Sequence, residues 1–455
     1  MILKKIIVVM SAIILLLGLV AGCGAENESG GASENNTTTG SESGSEGTTS
    51  DSESQKPEEV TIRAAVFPGD EETFKIAYED FKKQYPHINV EIDSFPIDKY
   101  YEKLRLELGG GSGYDVFAGQ IDSMVDSDML LPLDDLINEN NTDVSGYGTL
   151  YDSMRVNGDV VGLPYRKSNW MMFYNKDLFD AKGVDYPSDD MTWDDFRELA
   201  KQMTSGEGVD KIYGAYFPHW AQAWYLPAVQ TGATIIDKDL TPFKDALQYR
   251  MDLESDGSIM SWTESKSTKT SGGSYFQKGT LAMNIYGDWL VASLRKAEEE
   301  GKLSFDWDVA PIPHPEDVAK NTSLALPVTL MINKETEQQQ AAFEFVQFMT
   351  GEQGAEHFAS SGILTGYMSD KVKEAYIGDG SQKPENIQYF LETKEYSEYP
   401  MLPGVRNVII KTIFVPEGEL ALIGQQTIDE TIEIITERVQ DEWADEFEGL
   451  YKLGN

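Results

Sequence analysis

Apolar positions follow three regimes along the chain. From Ile6 to Val20 they are nearly continuous, broken only by Ser11 and Gly18, and from Gly24 to about residue 57 they almost vanish. Beyond that they settle into alternating strand and helix periods. Val60-Thr61-Ile62-Arg63-Ala64-Ala65-Val66 reads as a strand, and Phe67-Pro68-Gly69-Asp70 as a turn. The spacing of Phe74, Ala77, Tyr78 and Phe81 predicts a helix from about Glu71 to Tyr85, which Pro86 ends. A strand over Ile88–Ile92 follows. Strand, helix and strand at this spacing make a βαβ unit and a largely parallel sheet. A second helix is predicted over Lys99–Leu108, closed by Gly109-Gly110-Gly111-Ser112-Gly113, with a short strand at 114–118 behind it. Thr192 is placed to cap a helix, with Asp195 at the capping-box position. Ile428, Ile432, Ile435, Val439, Trp443 and Phe447 mark a closing amphipathic helix over 427–448. The Ser/Thr/Gly-rich stretch 261–274 reads as loop. No internal repeat is visible. The class is α/β, and the folded part exceeds what one core serves, so two lobes are expected.

The first two regimes are a leader and a tether. Lys4 and Lys5, the apolar run and Val20-Ala21-Gly22-Cys23 have the order of a secretory signal ending in small residues before a thiol. Cys23 is the sole cysteine of the chain, so it has no intramolecular disulfide partner, and lipidation of its thiol accounts for it. Residues 1–22 are accordingly expected to be a lipoprotein signal peptide. An uncleaved anchor is the alternative, and it too leaves the rest of the chain outside the membrane. Residues 23–57, rich in Gly, Ser, Glu and Thr, cannot bury enough surface to offset their ordering entropy. As a flexible coil they would span roughly 30 Å. Charge narrows the partners. With 77 acidic against 37 basic residues the formal net charge is −40, which argues against nucleic acid, whose binding needs a basic surface, and against docking on anionic lipid.

Several segments, in order, resemble the family-1 extracellular solute-binding proteins. Gly113-Tyr114-Asp115-Val116 is similar to the family's "G-x-P-D-V/I", with Tyr114 where Pro is usual. Asn157 to Tyr165 is similar to its "x-G-K-x-Y-G-L-P" hairpin, and Phe173-Tyr174-Asn175-Lys176-Asp177-Leu178-Phe179 to "L-Y-Y-N-K-D-L-F". Thr192 to Phe196 resembles "T-W-D-E-F". Phe276 to Met283 with Gly287-Asp288-Trp289 resembles "F-x-x-G-K-A-A-M…G-x-W", and Val309 to Pro313 resembles "V-A-P-L-P". Leu324-Ala325-Leu326-Pro327-Val328 stands where the family has Gly-Gly. The resemblance implies a two-lobed periplasmic-binding-protein fold with a hinge and an interlobe cleft. Lobe one would take 58–166 with 309–352, and lobe two 167–308 with 353–455. It further implies a monomer, anchored on the extracellular face of the cell membrane, that carries a carbohydrate to the permease subunits of an ABC importer without cofactor, metal or catalysis.

A sugar site wants aromatic platforms for ring faces and planar polar groups for hydroxyls. Trp289, which matches the family's ring-stacking position, and its neighbour Asp288 are candidates on that ground. Trp220 and Trp224 lie in an unusually aromatic run, and Trp170 sits just before the expected crossover. Asp122 follows a strand end and matches, by residue order, a hydroxyl-binding Asp of the family; Asp70 lies in a strand-to-helix turn that this kind of fold lends to ligands. Arg166 and Asn169 flank the hinge, and Arg166 would matter for a carboxylated or sulfated solute. Trp193, Trp262, Trp307 and Trp443 read as core. The rival readings are a surface-anchored glycoside hydrolase and a carrier of a non-sugar solute such as a peptide. No Gly-x-Ser-x-Gly elbow or Walker loop occurs, and His87, His219, His314 and His357 are too scattered for a zinc motif.

Overall fold

The structure is a computed structural model that describes residues 58–109, 113–124, 128–219, 224–269, 271–396 and 409–447. Residues 1–57, Cys23 among them, and Trp220 lie outside the described residues. The strands are β1 Val60–Val66, β2 Ile88–Ser94, β3 Val116–Gly119, β4 Arg155–Val156, β5 Asp159–Val160, β6 Leu163–Arg166, β7 Trp170–Asn175, β8 Tyr213–Tyr216, β9 Leu281–Gly287, β10 Trp307–Ala310, β11 Thr322–Leu324, β12 Val328–Ile332 and β13 Lys394–Tyr396. They form two principal sheets, in the orders β2-β1-β3-β12-β6 and β10-β7-β9-β8.

The βαβ expectation holds. β1 lies parallel to β2 from Val60 opposite Ile88 to Val66 opposite Ser94, and parallel to β3 on its other side. Ala64, Ala65 and Val66 are fully buried in succession, the pattern of a strand covered on both faces. The helix Glu71–Gln84 buries Phe74, Ala77 and Phe81. The Phe81 ring meets Phe345 at 5.4 Å and Phe348 at 5.5 Å, on the helix Gln339–Thr350. Burial of each such ring contributes about 1.5–3 kcal/mol. A separate core under the second sheet gathers Trp193, Phe196, Phe243, Phe414, Ile435 and Val439. Between β4 and β5, Asn157 (φ 54°) and Gly158 (φ 102°) make the two-residue turn in which both residues take positive φ.

Local chemistry sets the helix starts. Thr192 and Asp195 exchange both capping-box hydrogen bonds at the head of Trp193–Met203. Thr427 and Glu430 do the same at the head of Ile428–Phe447. The stretch 261–274 departs from the loop expected of it. It holds the helices Trp262–Thr268 and Gly272–Gln277, because Ser261 and Ser271 accept hydrogen bonds from the amides of Glu264 and Ser274. The serines that suggested a loop are the caps.

β10 bonds to β7, from Trp307 opposite Asn175 to Ala310 opposite Met172, so the second sheet runs through residue 310. The helix Glu352–Ser360 packs on Glu71–Gln84 and Gln339–Thr350, on the first sheet's side. Beyond the helix Asp370–Ile377 the chain is held on the second sheet's side, the Asn386 amide donating to Asp308 at 3.0 Å and β13 lying parallel to β11.

Candidate functional site

The strand registers set one edge of each sheet at either end of a short crossing. β1, β3 and β6 run in one direction, so the turns after their C-terminal ends share an edge of the first sheet. That edge carries Phe67 and Asp70 after β1, Gln120 and Asp122 after β3, and Arg166 at the end of β6. In the second sheet Trp170, first residue of β7, pairs with Gly287, last of β9. The chain passes from one sheet to the other through Lys167, Ser168 and Asn169 alone. Ser168 takes a left-handed conformation (φ 63°) and is buried, which turns the chain sharply there. The return passage runs beside it, with Asn169 bridged to Ala325 and the Leu326 amide on the Ser168 carbonyl at 3.4 Å. The segment Leu324–Val328, where the family's Gly-Gly is missing, is thus part of the crossing.

Arg166 is the centre of the polar groups. Its Nη1 lies 3.0 Å from both carboxylate oxygens of Asp70, and its Nε donates to Ser168 Oγ at 3.0 Å. Tyr165, which sequence reasoning passed over, donates its hydroxyl to Asp70 Oδ2 at 2.7 Å. Asp70 occupies the N-cap position of Glu71–Gln84 yet makes no side-chain cap, because its carboxylate is turned to this group. Burial works against the guanidinium's charge, but Asp70, Tyr165 and Asp288 around it hold its pKa above the ordinary value. Burial also lifts the Tyr165 hydroxyl well above the usual phenol range, so it remains a donor.

Aromatic rings sit against this group. The Arg166 guanidinium lies 5.7 Å from the Trp289 ring centroid. Trp289 meets Trp170 edge-on at 5.8 Å and Tyr286 at 5.5 Å. It is half-buried, and it packs against both hydrophobic cores. Gly287 lets it do so: a Cβ there would come within 1.9 Å of the Trp289 ring. Asp288, between them, is fully buried, its amide donating to the Asn169 carbonyl at 2.9 Å and its Oδ2 accepting from the Leu364 amide at 3.1 Å. The Leu364 carbonyl in turn accepts from the Lys167 amide at 2.9 Å. Burial pushes the Asp288 carboxyl up to about 7, against the pull of Arg166 and the Leu364 amide. Asn169 donates through Nδ2 to Glu395 at 2.9 Å, and Lys167 reaches the same oxygen at 3.2 Å.

Of the residues singled out in the sequence, Asp70, Arg166, Asn169, Trp170, Asp288 and Trp289 therefore form one connected group at the crossing. Asp122 is buried at the same sheet edge, in the turn Ile121–Ser123. Trp224 is elsewhere: it is fully buried in the second core, stacked on Phe414 at 6.1 Å, with Gly418 against its indole nitrogen. Trp193, Trp262 and Trp307 are core residues, and the Trp443 side chain lies outside what is described. Tyr286 and Tyr101 join the group unannounced, Tyr101 half-buried beside Phe67 with its hydroxyl on the Gln120 amide. Among the described residues no group of three or more His, Cys, Asp or Glu could hold a metal ion, and no helix is long and apolar enough to cross a membrane.

Comparison with known proteins agrees with this architecture. An arabinooligosaccharide-binding protein of Bacillus subtilis is 27% identical over 223 residues, covering 46% of this chain and 43% of the relative. The chain spans less than half the length of the curated relatives it matches. A sugar transporter of Rhizobium etli, solved in an open conformation, superposes with a TM-score of 0.70 at 25% identity, over 84% of this chain and 99% of that one. An ABC substrate-binding protein of Listeria monocytogenes in complex with cycloalternan gives 0.75 at 22% identity, over 85% and 100%. The two-lobed α/β fold is common to these proteins and this one. The profile of the bacterial extracellular solute-binding proteins matches residues 67–356, more than half the sequence, and the chain belongs to that family.

Proposed function

We propose that this protein is the substrate-binding lipoprotein of an ABC importer: it captures a carbohydrate, in particular an oligosaccharide, by closing its lobes, hands it to a membrane permease and catalyses nothing. The observation that carries this reading is the junction of Arg166, Trp289, Trp170 and Tyr286. A planar donor and a set of aromatic faces meet between two sheet edges that only narrow crossings join. Such a surface suits hydroxyls along an edge and C–H groups across a ring face. Lobe closure about the crossings would bring Asp122 and Tyr101 from the first lobe toward Trp289 and Tyr286 of the second. The arabinooligosaccharides and cycloalternan named for relatives and neighbours favour a short glycan. Lipidation at Cys23 and the polar segment behind it would keep the body within reach of the permease on the extracellular face, as a monomer. The division into lobes is proposed at the crossings 167–169 and 311–327, with the third between 378 and 384.

The test is a thermal-shift screen of the full chain in detergent micelles against neutral and acidic oligosaccharides, peptides and metal ions. A ligand at a hundred times its Kd stabilises the fold by about 2.7 kcal/mol. A shift with saccharides and no product on chromatography supports a receptor. A shift followed by cleavage makes the protein a glycoside hydrolase, and a shift with peptides alone overturns the carbohydrate reading.

A further inference from the structure

We propose that the site selects uncharged glycans and that Asp70 is the residue that sets this selectivity, by neutralising Arg166 within the binding site. The inference rests on the carbohydrate reading above and adds the charge class of the ligand. An arginine beside an aromatic platform is the group that would take a uronate carboxylate or a sugar sulfate as a two-pronged partner. Here part of that capacity is engaged internally, and its charge is balanced there. Nη1 faces both oxygens of Asp70 at 3.0 Å, Nε is on Ser168, and the two charged side chains retain only 10% and 4% of their surface. Tyr165 ties Asp70 in place from the other side. A ligand carboxylate reaching Arg166 would therefore meet a buried carboxylate already seated there, and two like charges at such a spacing are strongly unfavourable in a weakly polarisable site.

The surroundings point the same way. Asp122 and Asp288 are buried at the same junction, and neither can add positive charge. The Lys167 ammonium is paired with Glu395 at 3.2 Å. Lys411, 5.9 Å from the Tyr101 ring on the facing lobe, is solvent-exposed, where its field is screened. A cationic amino sugar is disfavoured for the opposite reason, since the Arg166 guanidinium already lies over the Trp289 ring. What the pair can still offer is a fixed hydrogen-bonding surface of no net charge, which is what a neutral hydroxyl requires.

Isothermal titration of the full chain in micelles would compare arabinotriose, mannotriose and maltotriose with trigalacturonate and a glucosamine trimer. The expected result is that a neutral trisaccharide binds at least about tenfold more tightly than either charged one, with an affinity that hardly changes from low to high salt. Asp70→Asn, which leaves Arg166 uncompensated, should narrow the gap to trigalacturonate about tenfold or more, while Asp70→Glu keeps it. Trigalacturonate or the glucosamine trimer binding as tightly as the neutral sugars overturns the inference and leaves the carbohydrate reading standing. Binding of no saccharide of any kind removes both. If Asp70→Asn fails to fold, as circular dichroism would show, the wild-type ratio and its salt dependence decide.

Discussion

Asp288→Asn isolates the strongest electrostatic tension at the crossing. The Asp288 carboxyl is fully buried, accepts a hydrogen bond from the Leu364 amide, and is raised from an ordinary 3.8 to about 7. Between those two values the folded protein holds a proton that the unfolded chain has released. The sign follows: this group's contribution to stability is complete below about pH 4 and is lost as pH rises through about 7. At about 1.4 kcal/mol per pH unit the loss approaches about 4 kcal/mol across that window, with the attraction of Arg166 already contained in the value of about 7. Asparagine keeps the shape and an oxygen for Leu364 but carries no charge at any pH. Urea denaturation of wild type and variant at a series of pH values between about 4 and 8 would measure this. The variant should gain on the wild type steadily up to about pH 7 and then hold a constant advantage. Stability curves that run parallel across the window, or a wild type that gains on the variant as pH rises, would refute the buried, proton-holding carboxyl.

Other substitutions separate structural from binding roles. Asp70→Ala leaves Arg166 buried without its counter-ion and should cost about 3–5 kcal/mol in chemical denaturation, whereas adding Arg166→Met should recover most of that loss. No recovery in the double variant would mean that the pair is not the source of the cost. Trp289→Ala should weaken saccharide binding by about 1–3 kcal/mol with a small effect on melting temperature. Trp224→Ala should do the reverse, costing about 3–5 kcal/mol of stability with little direct effect on affinity, and equal losses of affinity in the two would contradict their separation. Gly287→Ala forces a methyl against the Trp289 ring, so tryptophan fluorescence and saccharide affinity should both change; an unchanged affinity would show that the ring's placement does not matter.

Much of the fold is legible in the chain because its signals are local. A strand, a three-to-four-residue apolar period and a proline within the first thirty residues after Val60 are enough to define β1, the helix Glu71–Gln84 and β2 and to make them parallel. The capping box at Thr192 needs only four residues to be recognised. Legibility fails where one residue type serves two purposes. Serine favours loops and also caps helices, and the short helices behind Ser261 and Ser271 have too few apolar positions to outweigh the loop reading. Lobe boundaries are hard to read for another reason. The helices Glu352–Ser360 and Asp370–Ile377 have ordinary amphipathic faces, and nothing in a face says which of two cores it will cover.

The candidate site shows the same limit more sharply. Its tryptophans announce themselves, being few, but Trp224 and Trp289 look alike as residues and differ only in what surrounds them. The 409–422 segment seals one within a core; the other stands over Gly287 between two cores. The charged members can be noticed singly, whereas what they do depends on a pairing across 96 residues of chain that no local pattern encodes. Taken alone, Arg166 invites an anionic ligand. Joined to Asp70, with Tyr165 fixing that carboxylate, the same arginine presents a neutral surface and argues for an uncharged one. The residue types were visible in the sequence, and the sign of the proposed specificity depends on the folded sheet bringing the turn after β1 to the end of β6, with β3 and β12 between the two strands.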